Sequence, residues 1–298
     1  MKVSDDEFNL LRKIIRDKSG ICLGDNKKYL IENRLSLTAA RTGCTTFGQL
    51  ARRLLNGPGA KILGEQVVEA MTTQETYWFR DFSPFEYLED VFFPLMVDEL
   101  KSGKRRKIKV WSAASSTGQE ACSIAMAALE YQRRKRWEKK IENCLSILAT
   151  DISPRAIDRA KTGVYSENEI KRGLPEEHLS RYFIRQNRGW MVRETVKYMT
   201  DFAVFNLQDP LPGEWKGFDL VMLRNVMIYF SDDFKRAVVE KIFQRLAPGG
   251  ILVLGSGETV SGYSDKFEMV VHKNLRLYVK RPKENQEEKH ACKDWRQY

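Results

Sequence analysis

The chain has 298 residues, 42% hydrophobic and 11% aromatic. That is enough apolar material for one large domain or two ordinary ones, and too much for wholesale disorder. No run reaches membrane-span length, and the first residues lack a signal peptide's apolar core. Five scattered cysteines and three distant histidines speak against a disulfide scaffold or a structural zinc site, so a reduced, cytoplasmic protein without metal is expected. The net charge of +10 favours an anionic partner: nucleic acid, an acidic protein surface or anionic lipid.

Residues 1–71 read as a small all-helical domain. Phe8, Leu11, Ile14 and Ile15 fall at helical spacing, as do Leu30, Ile31 and Leu35, and then Phe47, Leu50, Leu54 and Leu55. Asn56-Gly-Pro-Gly59 breaks the pattern before Ile62 to Met71. Residues 72–106 form a connecting segment. Over 107–280 strands alternate with helices. Strands are expected at Ile108–Ser112, Leu145–Thr150, Phe202–Asn206, Leu220–Leu223 and Ile251–Leu254, the last entered by a turn at Pro248-Gly-Gly250. Helices are expected from Glu120 to about Lys140, over Pro154–Thr162 and over Ser231–Leu246. Asn274–Lys280 alternates cleanly and suits an antiparallel final strand. The class is α/β, a doubly wound sheet. Residues 163–201 fall outside this rhythm and read as a small inserted antiparallel β-subdomain, either a hairpin or a three-stranded unit that takes in Val196–Met199. The charged tail 281–298 is expected to be disordered.

The chemistry-bearing residues gather where strands end. Phe218–Leu223 is a largely apolar run, as a strand buried on both faces requires, and Arg224-Asn225 interrupts it before Tyr229-Phe230. Ligands of open α/β sheets bind at such carboxyl ends. Ser112-Ala-Ala-Ser-Ser-Thr-Gly-Gln-Glu120 links the first strand to a helix through small residues. Its spacing is neither GxGxxG nor GxxxxGK[ST], which disfavours a pyrophosphate and leaves a nucleoside possible. Asp151 follows the second strand, where an acidic residue accepts hydrogen bonds from ribose hydroxyls, although Asp-Ile-Ser-Pro is also a helix cap. Asn206-Leu207 ends the third strand, completing a polar row along one sheet edge.

A phosphate-free loop, a ribose carboxylate and an antiparallel last strand resemble the class I S-adenosylmethionine (SAM) methyltransferases. More closely, residues 5–280 resemble the chemotaxis receptor glutamate methyltransferases, the CheR family. The resemblance rests on Thr72-Thr-Gln-Glu-Thr-Tyr-Trp-Phe-Arg80, Trp111–Glu120, Ala149-Thr-Asp-Ile152, Phe205-Asn-Leu207, Leu223-Arg-Asn-Val-Met-Ile-Tyr-Phe230 and Leu246-Ala-Pro-Gly-Gly250. It implies a class I methyltransferase sheet, an all-helical N-terminal domain that docks receptors, and a connecting segment that adds to the cofactor site. It further implies cofactor contacts from Gln74, Thr76, Arg80, Glu120, Asp151, Asn206, Leu207, Arg224 and Asn225. Gln74 stands where the family usually has Asn. Arg80 and Tyr229 would flank the transferred methyl.

The substrate so implied is a glutamate carboxylate on the helical bundle of chemoreceptors. It is ionised at neutral pH and needs no general base. Lys27, Lys28, Arg34 and Arg41 are candidates for a docking face toward that acidic bundle. The turn Gln186-Asn-Arg-Gly189 is short where some family members carry a glycine-rich loop gripping a receptor's C-terminal pentapeptide, so no such tether is expected. A monomer that meets the membrane only through receptors is expected. Nucleic-acid methyltransferases are the rival among enzymes, but Arg-Asn-Val-Met replaces the Asp/Asn-Pro-Pro-Tyr/Phe of base N-methylation, and no cysteine follows the fourth strand. The rival of another class is an adaptor that binds receptors or SAM without turnover.

Overall fold

A computed structural model describes residues 1–137 and 139–281. The N-terminal domain packs four helices, α1 (Asp5–Ser19), α2 (Lys28–Arg41), α3 (Phe47–Asn56) and α4 (Ala60–Met71). Leu11, Ile15, Ile31, Leu35, Phe47 and Leu50 fill their common core. Ser4 and Glu7 start α1 as a reciprocal capping box. The Glu7 carboxylate also accepts from Gly48 N at 2.7 Å, fastening α1 to the first turn of α3.

The connecting segment is itself largely helical. It holds α5 (Ser83–Tyr87) and α6 (Phe93–Lys101), joined by a π-turn over Leu88–Phe92. These helices bury Phe85, Tyr87, Phe92 and Phe93 in the core of the sheet domain, which explains the apolar content of a segment without clean periodicity.

Then come β1 (Ile108–Ala113), α7 (Gln119–Lys135), β2 (Leu145–Asp151) and α8 (Pro154–Thr162). The insert follows, with β3 (Val164–Tyr165), α9 (Glu167–Ile170), α10 (Glu176–Tyr182), β4 (Phe183–Gln186), β5 (Gly189–Val192) and α11 (Glu194–Lys197). The sheet resumes with β6 (Thr200–Val204), β7 (Phe218–Leu223), α12 (Asp232–Arg245), β8 (Leu246–Leu254), β9 (Phe267–His272) and β10 (Leu275–Lys280). The seven-stranded order is β6-β2-β1-β7-β8-β10-β9. β10 runs antiparallel to both neighbours, and the other strand pairings of this sheet are parallel. Progression reverses between β1 and β7, which places the ligand crevice at their carboxyl ends.

Several local expectations need correcting. Helix α7 stops at Lys135, well before Lys140, because Arg136 turns to φ 48° and ends it. In the insert the third strand is Val164–Tyr165, antiparallel to β5, while residues 194–197 form a helical turn. Pro248-Gly-Gly250 lies within β8, whose register against β7 shifts between Phe218 and Leu220. A Cβ on Gly250 would sit 2.8 Å from the Phe218 carbonyl oxygen, so the irregular pairing depends on that glycine. Strand β9 escaped the sequence reading, and it makes β10 an interior strand. All but Arg281 of the charged tail lies outside the described residues. Among the described residues no helix is long and apolar enough to cross a membrane.

The two domains are tied across the crevice. Ile21 pairs with Phe230 in an antiparallel bridge, and Cys22 N donates to the Tyr229 carbonyl at 2.8 Å. Asn206 Nδ2 and Gln208 Nε2 donate to the carbonyls of Lys18 (2.8 Å) and Arg16 (2.9 Å). Groups at the open end of α1 are thus satisfied by the sheet domain.

Candidate active site

A cleft of about 400 Å³ opens at the carboxyl ends of β1, β2, β6 and β7, within the range of small-molecule sites. Gln74, Thr76, Arg80, Glu120, Asp151, Asn206, Leu207, Arg224, Asn225 and Tyr229 all line it. Residues separated by up to 155 positions are therefore brought together, and the α1–α2 turn closes one side with Ser19 to Gly24.

The floor is the turn after β1. Ala114 and Ser116 have positive φ, and Gly118 turns at φ 92°, where a Cβ would press on Ala160 and the Phe202 ring. Ser116 N donates to Asp151 Oδ2 at 2.8 Å, and Ser153 N donates to Oδ1 at 2.9 Å. Each oxygen keeps a further lone pair for a ligand. Burial pushes the Asp151 carboxyl above the usual aspartate range, against the opposing pull of these N–H donors and of the Gln74 side-chain amide. Gln74 reaches this floor, its Oε1 accepting from Ser116 Oγ at 2.9 Å.

Arg80 sits on a tightly bent segment. Phe79, Asp81 and Phe82 all have positive φ (49°, 65° and 46°), a strained combination that the surroundings must impose. Phe79 N donates to Ser123 Oγ (3.1 Å) and Trp78 N to the Arg172 carbonyl (3.1 Å). The Arg80 guanidinium lies 5.4 Å from the Tyr77 ring centroid, and its Nε is buried without a partner.

Arg224 lines the cleft, yet its donors point mostly into protein. It bridges Asp81 (2.7 Å), Glu120 (2.9 Å) and the Arg80 carbonyl (2.8 Å), with its side chain only 2% exposed. It fastens the Arg80 bend to the start of α7. Glu120 is shared as well, since its Oε1 accepts from Ser112 Oγ. Lys241 Nζ donates to the carbonyls of Leu207, Gln208 and Asp209 at 2.8, 2.8 and 3.0 Å, holding the turn after β6 from outside. Burial lowers its pKa.

The four docking candidates do not share one face. Lys27 and Arg34 line the cleft, and Arg34 also borders a second groove that it shares with Arg41. Arg34 is half-buried and donates to the carbonyls of Met71 (2.7 Å) and Thr72 (3.1 Å), so it secures the connecting segment. Lys28 pairs with Asp5. Arg41 is exposed in that second groove, between α2, α4 and α8, with Leu37, Glu69, Arg155 and Arg159.

Sequence reasoning missed Cys22, Lys241 and Glu258. Cys22 is an exposed free thiol that the fold carries into the cleft wall, and nothing local announced it. Glu258 follows β8 at the same sheet edge, so the row of polar strand ends extended one strand further than it was read. Among the described residues no three His, Cys, Asp or Glu side chains converge as a metal site.

The matching family models are "CheR methyltransferase, all-alpha domain" over residues 6–72 and "CheR methyltransferase, SAM binding domain" over 74–275. A Pseudomonas putida protein named chemotaxis protein methyltransferase Cher2 is 38% identical over 91% of this chain and 96% of its own. Chemotaxis protein methyltransferase 1 of Vibrio cholerae is 39% identical over 90% and 94%. The Escherichia coli chemotaxis protein methyltransferase is 31% identical over 90% of each.

Proposed function

This chain belongs to the CheR methyltransferase family, and from that premise we propose that it methylates glutamate side chains of chemoreceptors, giving methyl esters. The observation that carries the reading is the cleft itself. It joins a ribose-competent carboxylate, Asp151, to Arg80 and Tyr229, and among the described residues no histidine lines it.

S-adenosylmethionine, when bound, supplies an electrophilic methyl group on a sulfonium. Asp151 would hold the ribose with its two remaining lone pairs. Gln74, Thr76, Asn206, Leu207 and Asn225 would complete the cofactor contacts. Arg80 would orient the incoming carboxylate and offset part of its charge, and Tyr229 would keep the acceptor in line. Glutamate arrives ionised, so this chain need only align it and exclude water. Arg224 and Glu120 act by fixing the bend that carries Arg80.

We assign receptor docking to the groove between α2, α4 and α8, where Arg34, Arg41 and Arg155 outnumber Glu69 and Arg159 is paired with Glu169. This sign of charge suits an acidic helical bundle. The β4–β5 connection supports operation without a C-terminal tether, since only Asn187 and Arg188 separate the strands. Gly189 is committed to packing: a Cβ there would lie 2.3 Å from the Tyr165 carbonyl. A monomer of helical docking domain, connecting segment and catalytic domain suffices for this scheme.

The test is transfer of tritiated methyl from SAM to receptor-containing membranes, followed by mild alkali. Volatile methanol supports the reading; alkali-stable label sinks it.

A further inference from the structure

We propose that Glu258 is the positioning residue that sets the Asn225–Tyr229 turn, acting from behind the cleft without touching substrate or cofactor. The inference rests on the reading of Asn225 and Tyr229 as site residues. Glu258 is 5% exposed and does not line the cleft. Its Oε2 accepts from Asn225 N (2.7 Å) and Gly255 N (2.8 Å), and its Oε1 accepts from Ile228 N (3.2 Å). A single carboxylate thus satisfies both ends of the turn, including a donor in the 3₁₀ segment Met227–Tyr229. Carboxylates stabilise such exposed N–H groups as they do at helix starts.

Asn225 is held at φ 58°, a conformation that persists only when its surroundings dictate it. Its backbone bond to Glu258 supplies that constraint, and its Oδ1 is left buried without a protein partner. Gly255 completes the device. A Cβ there would lie 2.7 Å from Asn225 Nδ2 and 2.8 Å from Glu258 Oε2, so the strand end must be bare for carboxylate and turn to meet.

The substitutions are graded. In Glu258→Gln the amide oxygen can serve Asn225 and Gly255 while its NH2 opposes the Ile228 N–H. Glu258→Ala loses all three acceptors. On the full-length protein, with folding checked by circular dichroism, turnover at saturating SAM should fall about tenfold for Gln and about a hundredfold for Ala, the scale of a misplacement near 1 Å. KM for receptor should hold. Gly255→Ala, which strains the same contacts from the other side, should fall between them.

A double-mutant cycle tests the route of action. Glu258→Gln combined with Tyr229→Phe should cost little more than the worse single variant. Wild-type turnover in Glu258→Gln, or losses that multiply in the pair, would overturn the proposal. If Tyr229→Phe alone keeps full turnover, the reading of Tyr229 falls, and the same cycle with Asn225→Ala decides for Glu258: multiplied losses there also overturn it.

Discussion

Replacing Asp151 by Asn changes one charge and almost no volume, and its consequences can be worked through atom by atom. The carboxylate offers about four acceptor sites, of which Ser116 N and Ser153 N use two. The other two are those assigned to ribose. Asparagine keeps one oxygen, which can serve one backbone donor and one ribose hydroxyl, but it turns its NH2 on the other backbone donor and loses the charge. Losing one charge-assisted bond to ribose, about 2 kcal/mol, and the charge behind the other, about 1 kcal/mol, removes about 3 kcal/mol, or roughly a hundredfold in affinity. Calorimetry with S-adenosylhomocysteine reads this directly. The pH dependence has a definite sign. Burial raises the Asp151 pKa, so the folded protein binds this proton more tightly than the unfolded chain. The ionised group therefore costs stability at neutral pH, and that cost is relieved as pH falls through the raised pKa. Cofactor affinity should weaken over the same fall, with a midpoint above the usual aspartate range, and the Asn variant should lack that step. An Asn variant binding within threefold of wild type would refute the assignment of the free lone pairs.

Lys241→Met removes the ammonium from three carbonyls of the turn after β6. It should weaken S-adenosylhomocysteine binding about tenfold while leaving turnover at saturating SAM unchanged; an unaltered affinity would show that the turn holds itself. Cys22 should react with a bulky maleimide and block turnover, and S-adenosylhomocysteine should protect it. Cys22→Ser should stay active and resist the reagent, and modification without inhibition would remove Cys22 from the cleft wall. Reversing Arg41 and Arg155 to Glu should raise KM for receptor and flatten its dependence on salt while cofactor affinity stays put. An unchanged salt profile would discard the groove.

The catalytic sheet was legible because its signals are local. The apolar run of Phe218–Leu223 is buried along its whole length, and polar residues just past it and its neighbours reach one cleft because parallel strands share an end. Side-chain commitments were not legible. Nothing near Arg224 in sequence shows that its donors are taken by Asp81 and Glu120, nor that Arg34 is drawn into the connecting segment. These depend on contacts more than 30 residues apart. The α1–α2 turn looked like part of a separate domain, yet its bridge to Phe230 makes it a wall of the site. Strand β9 was missed because Met269 and Val271 are exposed on an edge strand, so its apolar residues do not mark a buried face.

The acceptor proposed here is a receptor glutamate carboxylate. Its most direct test is peptide mass spectrometry of chemoreceptors incubated with SAM and the full-length protein. Added methylene mass is expected on glutamate side chains of the receptor helices, removed by mild alkali and missing when Arg80→Ala replaces the wild type. Alkali-stable methyl groups on lysine, cysteine or backbone amines, or methylation that persists in Arg80→Ala, would contradict it.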